Sequence, residues 1–550
     1  MHELGKSLFR QVTGQSIEDL VRVPRGREIL NKFLREAASQ YPLRSVGQAS
    51  DGELFLSEED RESHVHVLGA PGEGKSKFIE LLVRQDIDAG YGCCVLDPSD
   101  GGATVYKLLK YCIKKGVEKV VLIDPHDIYN PAIRRIVTIN PLNYDAPANV
   151  SVGKVMDTIH VLWGSKHEQT AKIDKYLPAI LRALHASKMS LYEALYFTQQ
   201  FAYRNQRTQM LEMYEHSDGK AGLHPLDRYR VSLESVFVKP QSLFSAEMDS
   251  TSRRFEPFFD EVFRCVIGSK QNPLPFADLI ADKWVILVNL DRSRVWGSEQ
   301  QRLLGTMIIN EVIDAIDALR AAPNPWRGRY YLYVDEVGQY ATRKVAEVLD
   351  LKRKTGLSFT VAHQRFNQIE DANVLSAIKD TTKIKVLFNT PSREDRDAMV
   401  RMMYGGDIPD REVSFLLSQL QKQHAAIKIN KHPPRISRLP DVPDIDVAPA
   451  VLASFKQKLY QQEWFKTPTE VLNEINARFT QHEPARTFSK RAAHQRPMES
   501  AGEQRPKGKD SRSAPPRTVP DNRPDGPPVL FRKKGRATRK VDNVPPKTDE

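Results

Sequence analysis

The stretch Gly69-Ala-Pro-Gly-Glu-Gly-Lys-Ser76 decides the fold of this 550-residue chain. It matches the pattern G-x-x-x-x-G-K-[ST] of a phosphate-binding loop. The apolar run HVHVL (64–68) before it is typical of a strand, and KFIELLVRQ (77–85) after it is typical of a helix. A strand, this loop and a helix in succession are the context that the pattern requires. The sequence therefore predicts a nucleotide-binding P-loop.

The predicted loop consists of Gly69, Ala70, Pro71, Gly72, Glu73, Gly74, Lys75 and Ser76. Its glycines let backbone N–H groups turn toward phosphate oxygens, and the N-terminus of the following helix adds positive potential. We expect Lys75 to neutralise the β- and γ-phosphates of ATP and the Ser76 hydroxyl to ligate Mg²⁺. ATP and Mg²⁺ are therefore the predicted ligands.

Two further strands end in polar residues that suit phosphate chemistry. Asp335 and Glu336 follow the run YYLYV (330–334), and Gln364 follows SFTVAH (358–363). Ligands bind at the carboxyl ends of parallel strands, so we expect these side chains near the P-loop. Asp335 would hold Mg²⁺, and Glu336 would polarise the attacking water. Gln364 would bond the γ-phosphate or that water, and a plain polar cap is the alternative for it.

A basic run, Lys352-Arg353-Lys354, lies just before the SFTVAH strand. One role that it suits is that of an arginine finger, in which Arg353 reaches a phosphate across a subunit boundary. The alternative is a solvated run of charge. Asp97 and Asp124 also end predicted strands, but each precedes a proline, and we expect them to begin turns.

Alternating strand and helix patterns predict an α/β fold with a mainly parallel sheet. From about residue 150 to 270 the strand patterns stop and apolar residues follow helical spacing, which predicts an inserted all-helical domain. The predicted boundaries are a helical N-terminal lead at 1–50, the first part of the ATPase core at 51–149, the all-helical insertion at 150–270, the second part of the core at 271–450, C-terminal helices at 451–484 and a disordered basic tail at 485–550.

Basic charge is concentrated at the C-terminus. The net charge is +11, and residues 485–550 contain 17 lysines and arginines against 8 aspartates and glutamates. Ten prolines in the same stretch, with few apolar residues, predict disorder because too little surface can be buried to offset the ordering entropy. We expect this tail to hold DNA or an acidic partner protein, and a solubilising tail without a fixed partner is the alternative.

Four cysteines and the lack of long apolar runs indicate the compartment. Cys93, Cys94, Cys112 and Cys265 have spacings that suit neither a zinc site nor a disulfide framework, so we expect reduced and mostly buried thiols. No signal peptide is apparent, and no run approaches the 18 or so apolar residues of a membrane span. We expect a cytoplasmic protein that reaches the inner membrane, if at all, through partners.

Taken together, these motifs resemble the coupling-protein ATPases of type IV secretion and conjugation and, more widely, the HerA–FtsK superfamily of DNA-pumping motors. The strand ending in Asp335-Glu336, the R-K-x-G run and the strand ending His-Gln are its most specific elements. The matching stretches are DRESH (60–64), GAPGEGKS (69–76), GCCVLDPSDG (92–101), VVLIDPHD (120–127), TINPLN (138–143), WVILVNLDRS (284–293), YYLYVDEVGQYAT (330–342) and LKRKTGLSFTVAHQRFNQIED (351–371).

The resemblance implies a RecA-like core, assembly into a ring that is usually hexameric, and ATP-driven movement of DNA. It implies the roles given above for the P-loop, Asp335, Glu336 and Gln364, and it supports Arg353 as a phosphate-reaching cation. Relatives often place an arginine directly before the histidine that precedes the P-loop strand. This chain has Ser63 there and Arg61 two residues earlier, so either Arg353 or Arg61 remains a candidate for the trans-acting arginine.

Three functions remain open at this stage. The first is a DNA translocase of the coupling-protein type, with a relaxase or secretion-channel proteins as partners. The second is a soluble HerA-like helicase or translocase in DNA processing or defence. The third is a nucleotide-gated assembly ATPase that recognises proteins and never pumps DNA, an alternative that the nearly neutral body of the chain favours. No base-reading motif is apparent, so we expect DNA contacts without sequence specificity.

Overall fold

Most strands of the computed structural model follow the buried apolar runs of the sequence. The structure describes residues 44–50, 52–142, 146–163, 167–218, 228–271, 273–292, 297–351, 356–406 and 410–481. Within these ranges the strands are β1 Arg44–Ala49, β2 Gly52–Leu56, β3 Val65–Leu68, β4 Gly92–Asp97, β5 Val120–Ile123, β6 Ile136–Val137, β7 Val285–Asn289, β8 Tyr330–Val334, β9 Leu357–His363, β10 Ile384–Leu387, β11 His424–Ile429, β12 Arg435–Arg438 and β13 Phe465–Lys466.

Eleven of these described strands form one mixed sheet in the order β2-β1-β12-β11-β10-β3-β9-β8-β4-β7-β5. The seven strands from β10 to β5 are parallel to one another. Strands β2, β1, β12 and β11 extend the sheet through antiparallel pairs. Strands β4, β5, β7 and β8 are buried along their whole length, as expected where helices cover both faces of a parallel sheet.

Some helices of the described ranges flank this sheet, and the others follow one another along the chain between β6 and β7. They are α1 Glu58–Arg61, α2 Lys75–Asp88, α3 Ala103–Lys115, α4 Ala148–Trp163, α5 His167–Ala186, α6 Leu195–Thr198, α7 Arg204–Asp218, α8 Arg228–Phe237, α9 Gln241–Phe255, α10 Phe263–Ile267, α11 Phe276–Ala281, α12 Ser298–Ala321, α13 Arg343–Leu351, α14 Ala372–Thr381, α15 Arg393–Tyr404, α16 Arg411–Ser418, α17 Pro449–Leu459 and α18 Pro468–Gln481.

The described residues between β6 and β7 form helices and no strand. On α5, Leu177, Ile180, Leu181 and Leu184 are fully buried, and their spacing is the one that predicts a helix packed on one face. The predicted α/β core with a helical insertion is therefore confirmed. In the described ranges, no helix combines the length and the apolar character that crossing a bilayer requires.

The predicted helical lead at 1–50 is wrong at its described end. Residues 44–49 form β1, which pairs antiparallel with β2 and with β12. The segment RSVGQA has no apolar helix face, and the two neighbouring strands satisfy its backbone hydrogen bonds. Residues 1–43, which carry the helical pattern, lie outside the described residues. The basic tail lies outside them as well, because the description ends at Gln481.

Residues 449–481 contribute two helices separated by the short strand β13, which pairs with β6. Lys456 on α17 donates to Asp127 Oδ1 at 2.8 Å and to the Tyr106 hydroxyl at 2.9 Å. Arg478 on α18 donates to Glu193 Oε1 at 2.5 Å. These buried polar contacts fix the C-terminal segment to α3, to the turn after β5 and to the helical insertion.

Candidate active site

The P-loop joins β3 to α2 at the carboxyl end of the parallel sheet. Gly72 has a φ of 80° and Gly74 a φ of 132°, a backbone conformation that residues with a side chain rarely adopt. Phe388, just beyond β10, packs beneath the loop. A Cβ atom on Gly69 would lie 2.5 Å from the Phe388 Cβ, and one on Gly74 would lie 2.8 Å from its ring. The glycines are therefore required by close packing as well as by backbone conformation.

Lys75 begins α2, and its side chain lies within the loop. The side chain is almost completely buried, and Nζ donates to Gly69 O at 2.7 Å and to Ala70 O at 3.4 Å. Burial lowers the pKa of Lys75, and the nearby carboxylates of Asp335, Glu336 and Glu73 oppose that shift. An ammonium group held by main-chain carbonyls can exchange them for phosphate oxygens, which fits the role expected of Lys75.

Asp335 directly follows β8 and meets the P-loop helix. The exposed Ser76 hydroxyl donates to Asp335 Oδ2 at 3.2 Å, although the two residues are 259 positions apart in sequence. Burial, followed by the charge of Glu336, raises the pKa of Asp335 to about 6. A bound cation would favour the ionised carboxylate, and a hydroxyl beside a carboxylate is an oxygen donor set that suits Mg²⁺. Ser76 and Asp335 therefore fit the metal-ligand role proposed for them.

Glu336 adopts a left-handed backbone conformation, with φ 52° and ψ 48°. Its amide N–H donates to Asp335 Oδ1 at 3.0 Å, so the two acids form one tight turn. Gln364 Nε2 donates to Glu336 Oε1 at 2.6 Å. A non-glycine residue with this conformation is uncommon, and such residues cluster at functional sites. The structure thus brings Glu336 and Gln364 into direct contact.

Sequence reasoning missed one member of this site, Gln368. Its Nε2 donates to Glu336 Oε2 at 3.4 Å, and its Oε1 accepts from the backbone N–H groups of Gln364 and Arg365, both at 3.0 Å. The only signal in the sequence is a second glutamine four residues after Gln364. The contact with Glu336 spans 32 residues and could not be inferred from that spacing.

Two buried histidines lie directly below the site. His66 on β3 and His363 on β9 are fully buried and stacked, with ring centroids 4.9 Å apart and Nε2 atoms 2.8 Å apart. His363 Nδ1 lies 3.0 Å from Arg365 O, a contact that requires a proton on Nδ1. His363 Nε2 must then accept, and His66 Nε2–H must donate. Burial lowers the pKa of His363 to about 4 and lowers that of His66 as well.

Arg61 does not supply the trans-acting arginine, so that alternative is wrong. Its side chain is fully buried; Nη1 forms an ion pair with Asp86 Oδ1 at 2.6 Å, and Nη2 donates to the Tyr333 hydroxyl at 2.7 Å. The guanidinium carbon also lies 3.8 Å from the Tyr331 ring centroid. A guanidinium enclosed in this way fixes α1 to the sheet and cannot reach another subunit. Arg353 lies outside the described residues.

The other strand-end acids form turns, as expected. Asp97 Oδ2 accepts from the backbone N–H groups of Thr104 and Val105 at 2.8 and 3.2 Å, at the start of α3. Asp124 Oδ1 accepts from the His126 N–H at 3.0 Å. The four cysteines are free and buried. In the described ranges, no group of three or more histidine, cysteine or acidic side chains is arranged to hold a metal ion.

Solved structures of conjugative coupling proteins have a similar fold. The bacterial conjugative coupling protein TrwBdeltaN70 in its unbound monoclinic form has a TM-score of 0.51 and 16% identity, over 74% of this chain and 91% of its own. The plasmid coupling protein TrwB in complex with ADP and Mg²⁺ has a TM-score of 0.52 and 15% identity, over 74% and 92%. TrwB in complex with the non-hydrolysable GTP analogue GDPNP gives the same four values.

No family model matches the sequence, and no curated protein matches it. The large, mostly parallel sheet with the P-loop after β3 and the acidic pair after β8 defines a RecA-like P-loop fold. Within that class, the chain has the fold of the conjugative coupling protein TrwB.

Proposed function

We propose that this chain is an ATPase of the coupling-protein type, which hydrolyses ATP to move DNA. The observation that carries the proposal is the meeting of Ser76 with Asp335 at 3.2 Å beside Glu336, whose carboxylate Gln364 holds at 2.6 Å. These four side chains come from the P-loop helix and from the carboxyl ends of β8 and β9. The similar TrwB has been solved in complex with ADP and Mg²⁺ and in complex with GDPNP, which supports nucleotide binding by this chain.

The P-loop and Lys75 would bind the phosphates of ATP. Main-chain N–H groups of Gly72 to Ser76 lie at the N-terminus of a 14-residue helix, where the helix dipole favours anions. Ser76 and Asp335 would hold Mg²⁺. When bound, Mg²⁺ neutralises charge on the phosphate oxygens. Burial and the charge of Glu336 raise the pKa of Asp335, and a bound Mg²⁺ would favour its ionised form.

Glu336 would act on the attacking water. Its carboxylate is held by Gln364, and the residue adopts a left-handed backbone conformation just beyond β8. A carboxylate in that place accepts a hydrogen bond from water and, as a general base, takes its proton. Gln364 would exchange its bond with Glu336 for one with the γ-phosphate and so respond to the loss of that group.

The nucleotide site is tested by two substitutions with opposite outcomes. Lys75→Ala removes the charge that compensates the phosphates, so ATP binding should be lost. Glu336→Gln keeps the shape of the site and removes the base, so ATP should bind and remain unhydrolysed. Filter binding of labelled ATP and steady-state phosphate release measure the two effects. Wild-type hydrolysis by Glu336→Gln would show that the role given to Glu336 is wrong.

We further propose that the active species is a ring, most simply a hexamer, in which Arg353 of one subunit acts on the nucleotide of the next. Arg353→Ala should still bind ATP but lose about 10³-fold in turnover, the contribution typical of an arginine finger. Mixing Arg353→Ala with Lys75→Ala subunits should restore some activity at composite sites. Turnover per subunit that is independent of protein concentration, with no recovery on mixing, would contradict this proposal.

We propose that the chain binds the sugar-phosphate backbone of DNA and that the basic tail contributes to this binding. Removing residues 485–550 should weaken binding and flatten its salt dependence, because each phosphate contact releases a counterion. Binding to single- and double-stranded DNA also separates the alternatives: a protein-assembly ATPase would bind neither. A neighbouring relaxase gene would favour the coupling function, and a neighbouring nuclease gene would favour HerA-like DNA processing.

A further inference from the structure

Gln368 occupies an unusual position between two parts of the candidate site. It ends the short 3₁₀ turn Phe366–Gln368 that follows β9. Its side-chain oxygen accepts from two consecutive backbone N–H groups, those of Gln364 and Arg365, at 3.0 Å each. Its side-chain nitrogen points the other way and donates to Glu336 at 3.4 Å. One amide side chain therefore links the turn that carries Gln364 to the carboxylate after β8.

The carboxylate of Glu336 is held by two amides at once. Gln364 Nε2 donates to Oε1 at 2.6 Å, and Gln368 Nε2 donates to Oε2 at 3.4 Å. The turn beneath them is also fixed from the strand side, because His363 Nδ1–H donates to Arg365 O at 3.0 Å. The turn at 364–365 thus has both its N–H groups and one carbonyl occupied by side chains, and Glu336 is bonded to that fixed turn.

We propose, on the basis of the function proposed above, that Gln368 is a positioning residue for hydrolysis: it keeps Glu336 and the Gln364 turn in one hydrogen-bonded unit. A γ-phosphate would draw the Gln364 amide away from Glu336. Gln368 remains as the donor that holds the carboxylate in place while water is activated. A displacement of about 1 Å at such a group can cost about 100-fold in rate, so the second donor has a direct kinetic effect.

A purely structural role for Gln368 is separable from this one by substitution. A glutamate at 368 keeps an oxygen for the N–H groups of Gln364 and Arg365, and so preserves the turn. It cannot donate to Glu336, and it places a second negative charge beside that carboxylate, which repels it. An alanine removes both functions without adding charge. If Gln368 positions Glu336, Gln368→Glu should be less active than Gln368→Ala. If Gln368 only caps the turn, Gln368→Glu should be the more active of the two.

The experiment compares Gln368→Ala, Gln368→Glu and the matched control Asn367→Ala, an exposed neighbour in the same turn. The measured quantities are kcat and KM for ATP, together with hydrogen exchange of the Gln364 and Arg365 amides. We expect kcat to fall about 10-fold for Gln368→Ala and about 100-fold for Gln368→Glu, with KM for ATP unchanged. Exchange should accelerate in Gln368→Ala and stay protected in Gln368→Glu. The control should match the wild type.

The proposal would be overturned if Gln368→Ala kept the wild-type kcat. It would also be overturned if Gln368→Ala lost activity while Gln368→Glu kept the wild-type kcat, because Gln368 would then only cap the turn. These outcomes require that the wild-type chain hydrolyses ATP. A wild-type chain with no ATPase activity would instead overturn the proposed function, and the two failures are therefore distinguishable.

Discussion

Two aspartates at the carboxyl edge of the parallel sheet, Asp97 and Asp335, have different kinds of hydrogen-bond partner. On β4, Asp97 is 2% exposed, and its two oxygens accept from three backbone N–H groups, those of Ser99, Thr104 and Val105. After β8, Asp335 is half-buried; its Oδ1 accepts from the Glu336 N–H and its Oδ2 accepts from the Ser76 hydroxyl. Both acids lie at the ends of neighbouring parallel strands. Backbone N–H groups, which are fixed, occupy both oxygens of Asp97, whereas a side-chain hydroxyl, which can change partners, occupies Oδ2 of Asp335.

Asp124, which follows β5, resembles Asp97, because other groups of the fold donate to both of its oxygens. Burial alone would raise its pKa, but hydrogen bonds from His126, Tyr106 and Asn289 outweigh burial and lower the pKa below its usual value. The pKa of Asp335 moves the opposite way, to about 6, because burial and Glu336 outweigh the attraction of Lys75. An acid stabilised by fixed donors caps structure, whereas one left short of positive charge is ready for a cation or a ligand.

The largest expected effect comes from replacing Asp335 with asparagine, and the same replacement of Asp97 provides the comparison. Asp335→Asn should lower ATP turnover by about 100-fold or more, because a charge that stabilises the bound metal and phosphates is removed. Asp97→Asn should leave turnover of the folded protein unchanged. It should lower the free energy of unfolding by about 1–3 kcal/mol, because an amide group replaces an oxygen that buried N–H groups need. Steady-state ATPase assays and urea unfolding measure the two quantities.

The same pair of variants can also show that the roles given to the two aspartates are wrong. A strong loss of turnover in Asp97→Asn without loss of stability would show that Asp97 also acts in ATP hydrolysis. A loss of stability in Asp335→Asn with unchanged turnover would make Asp335 a structural cap.

A smaller effect is expected at the histidine pair below the site. The pKa of His363 is about 4 in the folded protein, below its ordinary value of about 6.5. The unfolded chain therefore takes up a proton first as pH falls. The stabilisation is fully present above pH 6.5 and is lost as pH falls from 6.5 to 4. Protonation would also replace the shared Nε2 hydrogen bond with two opposing donors.

The charged groups that act on this pair belong to three other elements and to the P-loop helix. They are Lys379 on α14, Lys385 on β10, Asp395 on α15 and Lys75 on α2. In His363→Gln the decline in unfolding free energy between pH 6.5 and 4 should be smaller, whereas His432→Gln, at an exposed position, should keep it. An unchanged slope in His363→Gln would show that other groups cause the acid sensitivity.

The sequence predicted the parallel core well because its strands are short, mostly apolar runs next to turn residues. GCCVLD and YYLYV form β4 and β8 with the predicted bounds, and the P-loop lies between a strand and a helix as its pattern requires. Strands β1, β2 and β12 were missed, because short antiparallel strands that contain glycine or charged residues have a weak periodic signal.

The parts of the site that were not predicted depend on contacts between distant elements. Arg61 was kept as a candidate for the trans-acting arginine because of its position just before the P-loop strand, and its full burial was not foreseen. Its partners, Asp86 and Tyr333, come from α2 and β8 and are not evident from local sequence. Gln368 was overlooked for the same reason. Periodicity identifies strands and loops, but it does not show which side chains meet across a sheet.

The proposed function depends most on the rate of ATP hydrolysis by the full chain, measured with and without DNA and compared with that of Glu336→Gln. We expect hydrolysis that DNA accelerates and that Glu336→Gln abolishes. Hydrolysis that is insensitive to DNA would contradict a DNA-moving function, and the absence of hydrolysis in the wild-type chain would contradict the assignment of an ATPase site.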